Sequence, residues 1–375
     1  MLNHPLFPGC CLLQSGESLL RFIRLRYLLI AVEFISICIA VMVIFIYSLL
    51  YFKKKTHLYK VRLSRHLEVW ISAMIFHESG ESPGISQKFH RIVRNPAGRQ
   101  FVIDELVACK KNFTGLAAKN IVALYEELGL KPHSFKKLGS RQWHIKAKGI
   151  QELYLMDQSD TLTRIYKNTN NKHELVRMEA QIGVLHLTGF DGLRFLDVIS
   201  YPITEWQQLK LLEQLKHSKL TDKVGAAIPR WLQSPNSTVA QFALKLADEY
   251  QQLGLHDAVA ACLQHPDEAV RRQAVRTLIR IGNETTPHWL TAHFPEETPG
   301  NKLLILDNLG KIASEEEVPF LTGLLDDEDN IIKLKAARAL AVSSCFGLAI
   351  LAEKSKEQPS LYNDIYCHVK SEIAL

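Results

Sequence analysis

The distribution of apolar residues divides the chain into one continuous hydrophobic run and a long region of interrupted, periodic hydrophobicity. The run extends from Leu28 to Phe52, and its last nineteen residues carry no charge. About twenty such residues cross a bilayer as a helix. The run is too long for the apolar part of a signal peptide and ends at Lys53 without a small-residue cleavage site. The pattern predicts a transmembrane helix at residues 27–52, preceded by a short tail at 1–26.

Basic residues flank the predicted span unequally. Three arginines precede it, namely Arg21, Arg24 and Arg26, and six basic residues follow it, namely Lys53, Lys54, Lys55, Lys60, Arg62 and Arg65. Because basic loops stay on the cytoplasmic side, this excess favours a cytoplasmic C-terminal domain, with an extracytoplasmic one as the alternative. We expect the six residues also to contact anionic lipid headgroups. Residues 53–84 are predicted to form a basic juxtamembrane helix that ends in a hinge at 78–84.

Residues 85–375 carry a helical pattern that repeats every 31 residues in its best-formed part. Apolar residues four apart fall on one face of a helix, so each repeat contains a first and a second amphipathic helix. The second helix shows three such core positions: Val239, Val270, Asn301 and Ile332; Ala243, Ala274, Ile305 and Ala336; Ala247, Leu278, Leu309 and Leu340. The first helix shows two: Ile228, Val259, Leu290 and Leu321; Leu232, Leu263, Phe294 and Leu325. Turns rich in Pro and Asp separate the two helices, as proline cannot continue the first and aspartate favours the start of the second.

The middle core position of the second helix, called the alanine position below, extends the repeat in both directions. With looser spacing it is assigned to Ala118, Ala147, Ala180 and Lys210, and at the end to Cys367. Small residues there let successive helices approach closely. The sequence therefore predicts an all-α protein, an α-solenoid of about eight to nine helical hairpins preceded by one N-terminal transmembrane helix.

The amino-acid sequence of the second helices is specific enough to resemble a known repeat. Asp267 followed by Val270-Arg271-Arg272-Gln273-Ala274-Val275-Arg276-Thr277-Leu278 resembles the second helix of a HEAT-like repeat, the type also found in phycobilin lyases. The match is strong over residues 222–342, moderate over 143–221 and weak over 85–142. The resemblance implies a right-handed superhelix with second helices on its concave face. Such arrays typically bind proteins.

The charge distribution and the cysteine content agree with this predicted architecture. The net charge of +6 resolves into +8 for residues 1–100, +5 for 101–230 and −7 for 231–375. The basic excess therefore belongs to the membrane-proximal part of the chain. The seven cysteines form no CxxC pair, which fits a reducing compartment with thiols as small core residues.

HEAT-like enzymes are the main alternative to a binding protein. Deoxyhypusine hydroxylases resemble this architecture and hold iron with His-Glu dyads, whereas this chain has only His77-Glu78 and His173-Glu174. Phycobilin lyases resemble it through the repeat alone. The chain contains no phosphate-loop, dinucleotide, HExxH or GxSxG motif. We therefore expect neither an enzyme nor a cofactor or metal site, with a lyase-like or metal-dependent hydroxylase-like activity as the open alternative.

Nucleic-acid binding is the third class. The best basic cluster lies in the half of the chain with net charge −7, and a phosphate tract would repel its acidic runs. No nucleic acid is expected, and the preferred function is a membrane-tethered scaffold or adaptor for a protein partner, which itself could be a membrane protein. The candidate partner-binding residues are those expected to point outward from second helices: Arg271, Arg272, Arg276, Lys302, Lys333 and Arg338.

Overall fold

The computed structural model describes residues 27, 29–30, 32–55, 58, 61, 63–64, 87–216 and 225–373, and every regular element within them is helical. This confirms the predicted all-α class. Helix α1, Val32–Lys55, has a mean hydropathy of 2.6 and buries none of its apolar surface. By length and composition it can cross a membrane. The predicted tail, the hinge and the residues Lys60, Arg62 and Arg65 lie outside the described residues.

The chain divides into two compact units, with the boundary between Leu124 and Tyr125. The first unit contains α1, α2 (Gln87–Arg94), α3 (Pro96–Asn112) and most of α4 (Gly115–Glu127). The side chain of Asn95 caps α3 by accepting a hydrogen bond from the amide of Ala97, and Pro96 occupies the first helical position, where its missing N–H costs nothing.

The second unit consists of eight successive helical hairpins, within the predicted range of eight to nine. First helices are short and several are extended by 3-10 turns; in the third hairpin a 3-10 segment, Gly189–Asp197, replaces the first helix. Second helices of neighbouring hairpins pack against each other, except that Glu205–Leu215 and Ser237–Glu249 are joined mainly by side-chain hydrogen bonds. The helices are α5 (Lys131–Leu138), α6 (Trp143–Leu155), α7 (Leu162–Tyr166), α8 (Glu174–Thr188), α9 (Glu205–Leu215), α10 (Ile228–Leu232), α11 (Ser237–Glu249), α12 (His256–Ala261), α13 (Glu268–Ile281), α14 (Thr286–His293), α15 (Pro299–Ile312), α16 (Val318–Gly323), α17 (Asn330–Ser343), α18 (Gly347–Glu357) and α19 (Pro359–Ile373).

Side-chain caps explain where the second helices begin. The carboxylate of Asp267 accepts from the amide of Ala269 at 2.9 Å, and Asp329 accepts from Ile331 at 2.8 Å. Thr204 forms a reciprocal capping box with Gln207. Each cap satisfies a backbone amide that the first helical turn leaves without a partner. The turn residues singled out from the sequence are thus the caps.

The core runs continuously along the second unit, from Leu185 to Val369. All twenty residues that the 31-residue spacing assigned to core positions are buried. Packing between second helices is close enough that a Cβ added at Gly310 would lie 2.9 Å from the Cα of Ala339. Two outlying assignments are wrong.

The first correction is at Lys210, which is half-buried, whereas the adjacent Leu211 is buried and occupies the alanine position of α9. Leu211 follows Ala180 by 31 residues and precedes Ala243 by 32, so the looser spacing that assigned this position to Lys210 falls one residue short of the repeat register. The second is at Cys367, which is exposed, because α19 buries Tyr362 and Val369 instead.

Candidate partner-binding surface

Three of the six predicted partner-binding residues occupy one repeat position, three residues before the alanine position: Arg271, Lys302 and Lys333. The structure turns this position toward the hairpin's own first helix and turn. The Nη1 atom of Arg271 donates to the carbonyl oxygens of His265 and Pro266 at 3.0 and 3.2 Å. Arg177, at the same position of α8, donates in the same way to two turn carbonyls. Each of these arginines therefore links its second helix to the turn of the same hairpin.

Arg271 also forms a buried ion pair with the next hairpin. Its Nε atom lies 3.1 Å from Oε1 of Glu297, a carboxylate with no solvent exposure, and the arginine side chain is 15% exposed. Oε2 of Glu297 accepts from Nδ2 of Asn301 at 2.8 Å. Nε of Arg272 donates to Oδ1 of Asn301 at 3.0 Å. Asn301 stands at a core position because it links these two charged groups.

The other two residues of this position are not free either. The ammonium of Lys302 lies 5.4 Å from the ring centroid of Phe294, at the end of its own first helix. Lys333 is buried. The expectation that Arg271 and Lys333 point outward is therefore wrong. The spacing of 31 residues assigns the three residues to equivalent positions of successive second helices, but it does not determine which side of the helix that position faces.

The remaining three candidates do reach solvent. Arg272 forms an ion pair with Glu268 in its own helix. Arg338 makes a two-pronged contact with Glu372 of the last helix, at 2.7 and 2.6 Å. Arg276 is exposed and has no ion pair or hydrogen bond within the described residues. It is the one member of the predicted set whose charge is fully available.

Lys245 occupies the same position as Arg276 one hairpin earlier, 31 residues back, and sequence reasoning missed it. Its ammonium donates at 2.7 Å to Oε1 of Gln208, a fully buried amide that is itself held by the carbonyls of Ile203 and Thr238. Partial burial, and to a lesser degree the charge of Arg276, lowers the pKa of Lys245, while Glu205 opposes the shift. The repeat register alone, read two residues past the alanine position, would have found it.

Exposed apolar side chains form a second feature on the second helices α8 and α9. Trp206 is 62% exposed and Leu209 is 55% exposed, and the residues 31 positions earlier are also apolar: Leu175, which is exposed, and Met178, which is half-buried. We call these four residues the apolar platform. The same positions of α13 are Ala269 and Arg272, so the apolar character belongs to one part of the array.

A cleft of about 430 Å³ lies between α6, α8 and α9, beside the platform. Met178, Ile182 and Trp206 supply its apolar wall. Several of its polar residues already have partners: the hydroxyl of Tyr154 donates to Glu179 of the next second helix at 3.0 Å, and Lys210 pairs with Glu213 within α9 at 2.7 Å. Burial raises the pKa of Tyr154 well above its usual range, which keeps this hydroxyl a hydrogen-bond donor. The cleft therefore offers apolar contact more than reactive groups.

The His-Glu dyad at His173-Glu174 has a structural place. The imidazole of His173 precedes α8 and stacks on Trp143, with ring centroids 4.3 Å apart. Within the part of the chain that the structure describes, no group of three or more His, Cys, Asp or Glu side chains is arranged to hold a metal ion. The other dyad, His77-Glu78, lies outside that part. Lys53, Lys54 and Lys55 end helix α1 and are exposed.

Comparisons with known proteins give a fold-level likeness only. No family model and no curated protein matches the chain. Solved structures with some similarity include an engineered protein from a structural genomics programme, with a TM-score of 0.37, 14% identity, and coverage of 75% of this chain and 87% of that one. Human deoxyhypusine hydroxylase in complex with glycerol has a TM-score of 0.30, 15% identity, and coverage of 66% and 99%.

The complex of CpcE and CpcF of phycocyanin lyase from Nostoc has a TM-score of 0.24 and 11% identity, with 74% of this chain and 96% of that chain covered. The hydroxylase and the lyase are HEAT-like helical repeat proteins, the type of repeat that the second-helix text resembles. At these TM-scores the overlaps carry no argument about activity.

Proposed function

We propose that this protein is a single-pass membrane-tethered scaffold whose second-helix face binds a protein partner. The supporting observation is the composition of that face on α8, α9, α11 and α13: an apolar platform with an exposed tryptophan, next to cations without ion-pair partners. Exposed apolar patches rimmed by polar residues mark interaction sites, and tryptophan and arginine dominate the energetics of such interfaces.

The membrane tether follows from helix α1. Its apolar surface is entirely unburied, and a soluble chain would expose all of that surface to water. Lys53, Lys54 and Lys55 at its end support a cytoplasmic position for the C-terminal array. Tethering would raise the effective concentration of a partner in the same membrane.

The orientation is tested by fusing reporters to the C-terminus. A fluorescent protein there is expected to be bright and a periplasmic phosphatase inactive, with the same reporters on a soluble cytoplasmic protein as the control. Active phosphatase with a dark fluorescent protein would mean that the array lies outside the cytoplasm.

Partner binding is tested by crosslinking the tagged full-length chain in cells and identifying the adducts by mass spectrometry. Trp206→Ser and Leu209→Ser are expected to reduce a specific adduct strongly, because each removes an exposed apolar contact without opening the core. Leu253→Ser, which removes an equally exposed leucine from a 3-10 turn of a first helix, is the matched control and should leave the adduct unchanged. An adduct pattern identical in all three variants would contradict the proposal.

A further inference from the structure

The cations of the second helices differ in whether they are neutralised. Arg271, Arg272, Arg280, Lys335 and Arg338 all form ion pairs, most of them with a residue of a neighbouring hairpin. Several others form none within the described residues: Lys302 lies over the ring of Phe294, Lys333 is buried, and Lys311 lies next to the end of its helix. Lys245 and Arg276 also form none. These two, which we call the cation pair, are equivalent residues of adjacent second helices.

The arrangement of the cation pair is held by the protein. The ammonium of Lys245 on α11 donates a hydrogen bond to the side-chain amide of Gln208 on α9. Gln208 is buried, and its amide nitrogen donates hydrogen bonds to two backbone carbonyls. Holding two like charges on neighbouring helices is unfavourable unless a counter-charge binds. The carboxylate of Glu205 acts on Lys245 without forming an ion pair with it, so the pair keeps positive charge that a bound anion can neutralise.

The apolar platform adjoins the cation pair. Gln208, which holds Lys245, is the residue before Leu209 on α9, so the ammonium and the exposed leucine lie on the same stretch of surface. Packed helices lie about 8–10 Å apart, so α9 to α13 spans about 20 Å. A helical segment of about 13 residues has that length.

We propose, building on the scaffold function, that the second-helix face from α9 to α13 receives an acidic amphipathic segment of the partner. Its apolar side chains cover Trp206 and Leu209 of the platform, and its carboxylates contact Lys245 and Arg276. A phosphate backbone fits the face less well, because its closely and evenly spaced charges would also meet Glu205 and the exposed Glu249, whereas a helical segment can place carboxylates opposite Lys245 and Arg276 alone.

The test uses the full-length chain in neutral detergent and fluorescent helical peptides of 14 residues, with binding followed by fluorescence anisotropy. One peptide carries leucine on one face and glutamate on the other, a second replaces glutamate by lysine, and a third replaces leucine by serine. We expect the leucine–glutamate peptide to bind at least tenfold more tightly than either of the others. Raising the salt concentration should weaken it, because exposed charges are screened.

Charge variants identify the site. Lys245→Gln with Arg276→Gln is expected to reduce affinity about tenfold, as for the loss of two partly exposed ion pairs. Lys311→Gln removes an exposed cation one repeat further on and should change it less than twofold. Lys245→Arg with Arg276→Lys should restore binding, which separates lost charge from lost fold.

Three results would overturn the inference: equal binding of the acidic and basic peptides, no effect of the double glutamine variant, or displacement of the acidic peptide by a single-stranded oligonucleotide at a lower concentration than by unlabelled peptide. If the peptides fail while a specific cellular adduct persists, the acidic character of the partner is wrong and the scaffold function stands. If the peptides bind and no specific adduct forms in cells, the scaffold function fails.

Discussion

Replacing Arg271 by methionine should destabilise the array far more than replacing Arg276, although the two residues lie five apart in one helix. Arg271 neutralises Glu297, whose carboxylate has no solvent exposure, and also holds two turn carbonyls. Removing one member of a buried ion pair leaves an uncompensated charge and costs about 3–5 kcal/mol. For a unit of this size that corresponds to a fall in Tm of about 6–20 °C. Arg276→Met removes an exposed side chain and should change the free energy of unfolding by less than about 0.5 kcal/mol.

The assay is thermal unfolding of the detergent-solubilised chain followed by far-ultraviolet circular dichroism. The double variant Arg271→Met with Glu297→Gln should recover a large part of the loss, because it removes the buried charge while the amide oxygen still accepts from Asn301. If Arg271→Met lowers Tm no more than Arg276→Met, or if the double variant is less stable than the single one, the structural role assigned to Arg271 is refuted.

Two further predictions concern packing and pH. Gly310→Ala should lower Tm, because its Cβ would meet the backbone of Ala339 at 2.9 Å, whereas Gly323→Ala, in a helical conformation with nothing within 4 Å, should be neutral or raise stability by up to about 1 kcal/mol. The hydrogen bond from Lys354 is the largest of several effects that lower the pKa of Asp326, so its contribution to stability is present above the ordinary aspartate pKa and is lost as pH falls through the lowered value. Hydrogen-exchange protection factors of the last two hairpins, which correct for the slower intrinsic exchange in acid, should therefore fall in acid, and Asp326→Asn should remove most of that fall; an unchanged acid response in the variant would contradict the assignment.

In the proposed scaffold, a small part of the long array, the second helices α8, α9, α11 and α13, contacts the partner. The apolar platform and the cation pair occupy four second helices, and several other second-helix cations form ion pairs that link neighbouring hairpins. A repeat protein needs such contacts between hairpins, because each hairpin cannot bury its apolar face alone. Polar groups that serve no such contact are therefore the ones available to a partner.

The recurrence of core residues every 31 positions predicted much of the architecture. A residue that recurs at a core position every 31 places must be apolar or small in each hairpin, and the pattern of Ala243, Ala274 and Ala336 identified the second helices, their caps and the hairpin number. At α9 the looser spacing selected Lys210, whereas the residue 31 positions after Ala180 is Leu211. A one-residue shift rotates a side chain by about 100° around the helix, so this error exchanged a buried residue for a half-buried one.

The sequence by itself determined the apolar N-terminal helix, the all-α class and the repeated core, because these depend on the order of apolar residues along the chain. Only the tertiary structure decided which charged residues face solvent. Arg271, Arg276 and Lys245 are all basic residues of second helices in the sequence. In the structure Arg271 forms an ion pair with a buried carboxylate, Arg276 has no ion pair within the described residues, and Lys245 donates to a buried amide of the preceding hairpin. Those partners come from residues 26 to 37 positions away, so they exist only once neighbouring hairpins have packed together.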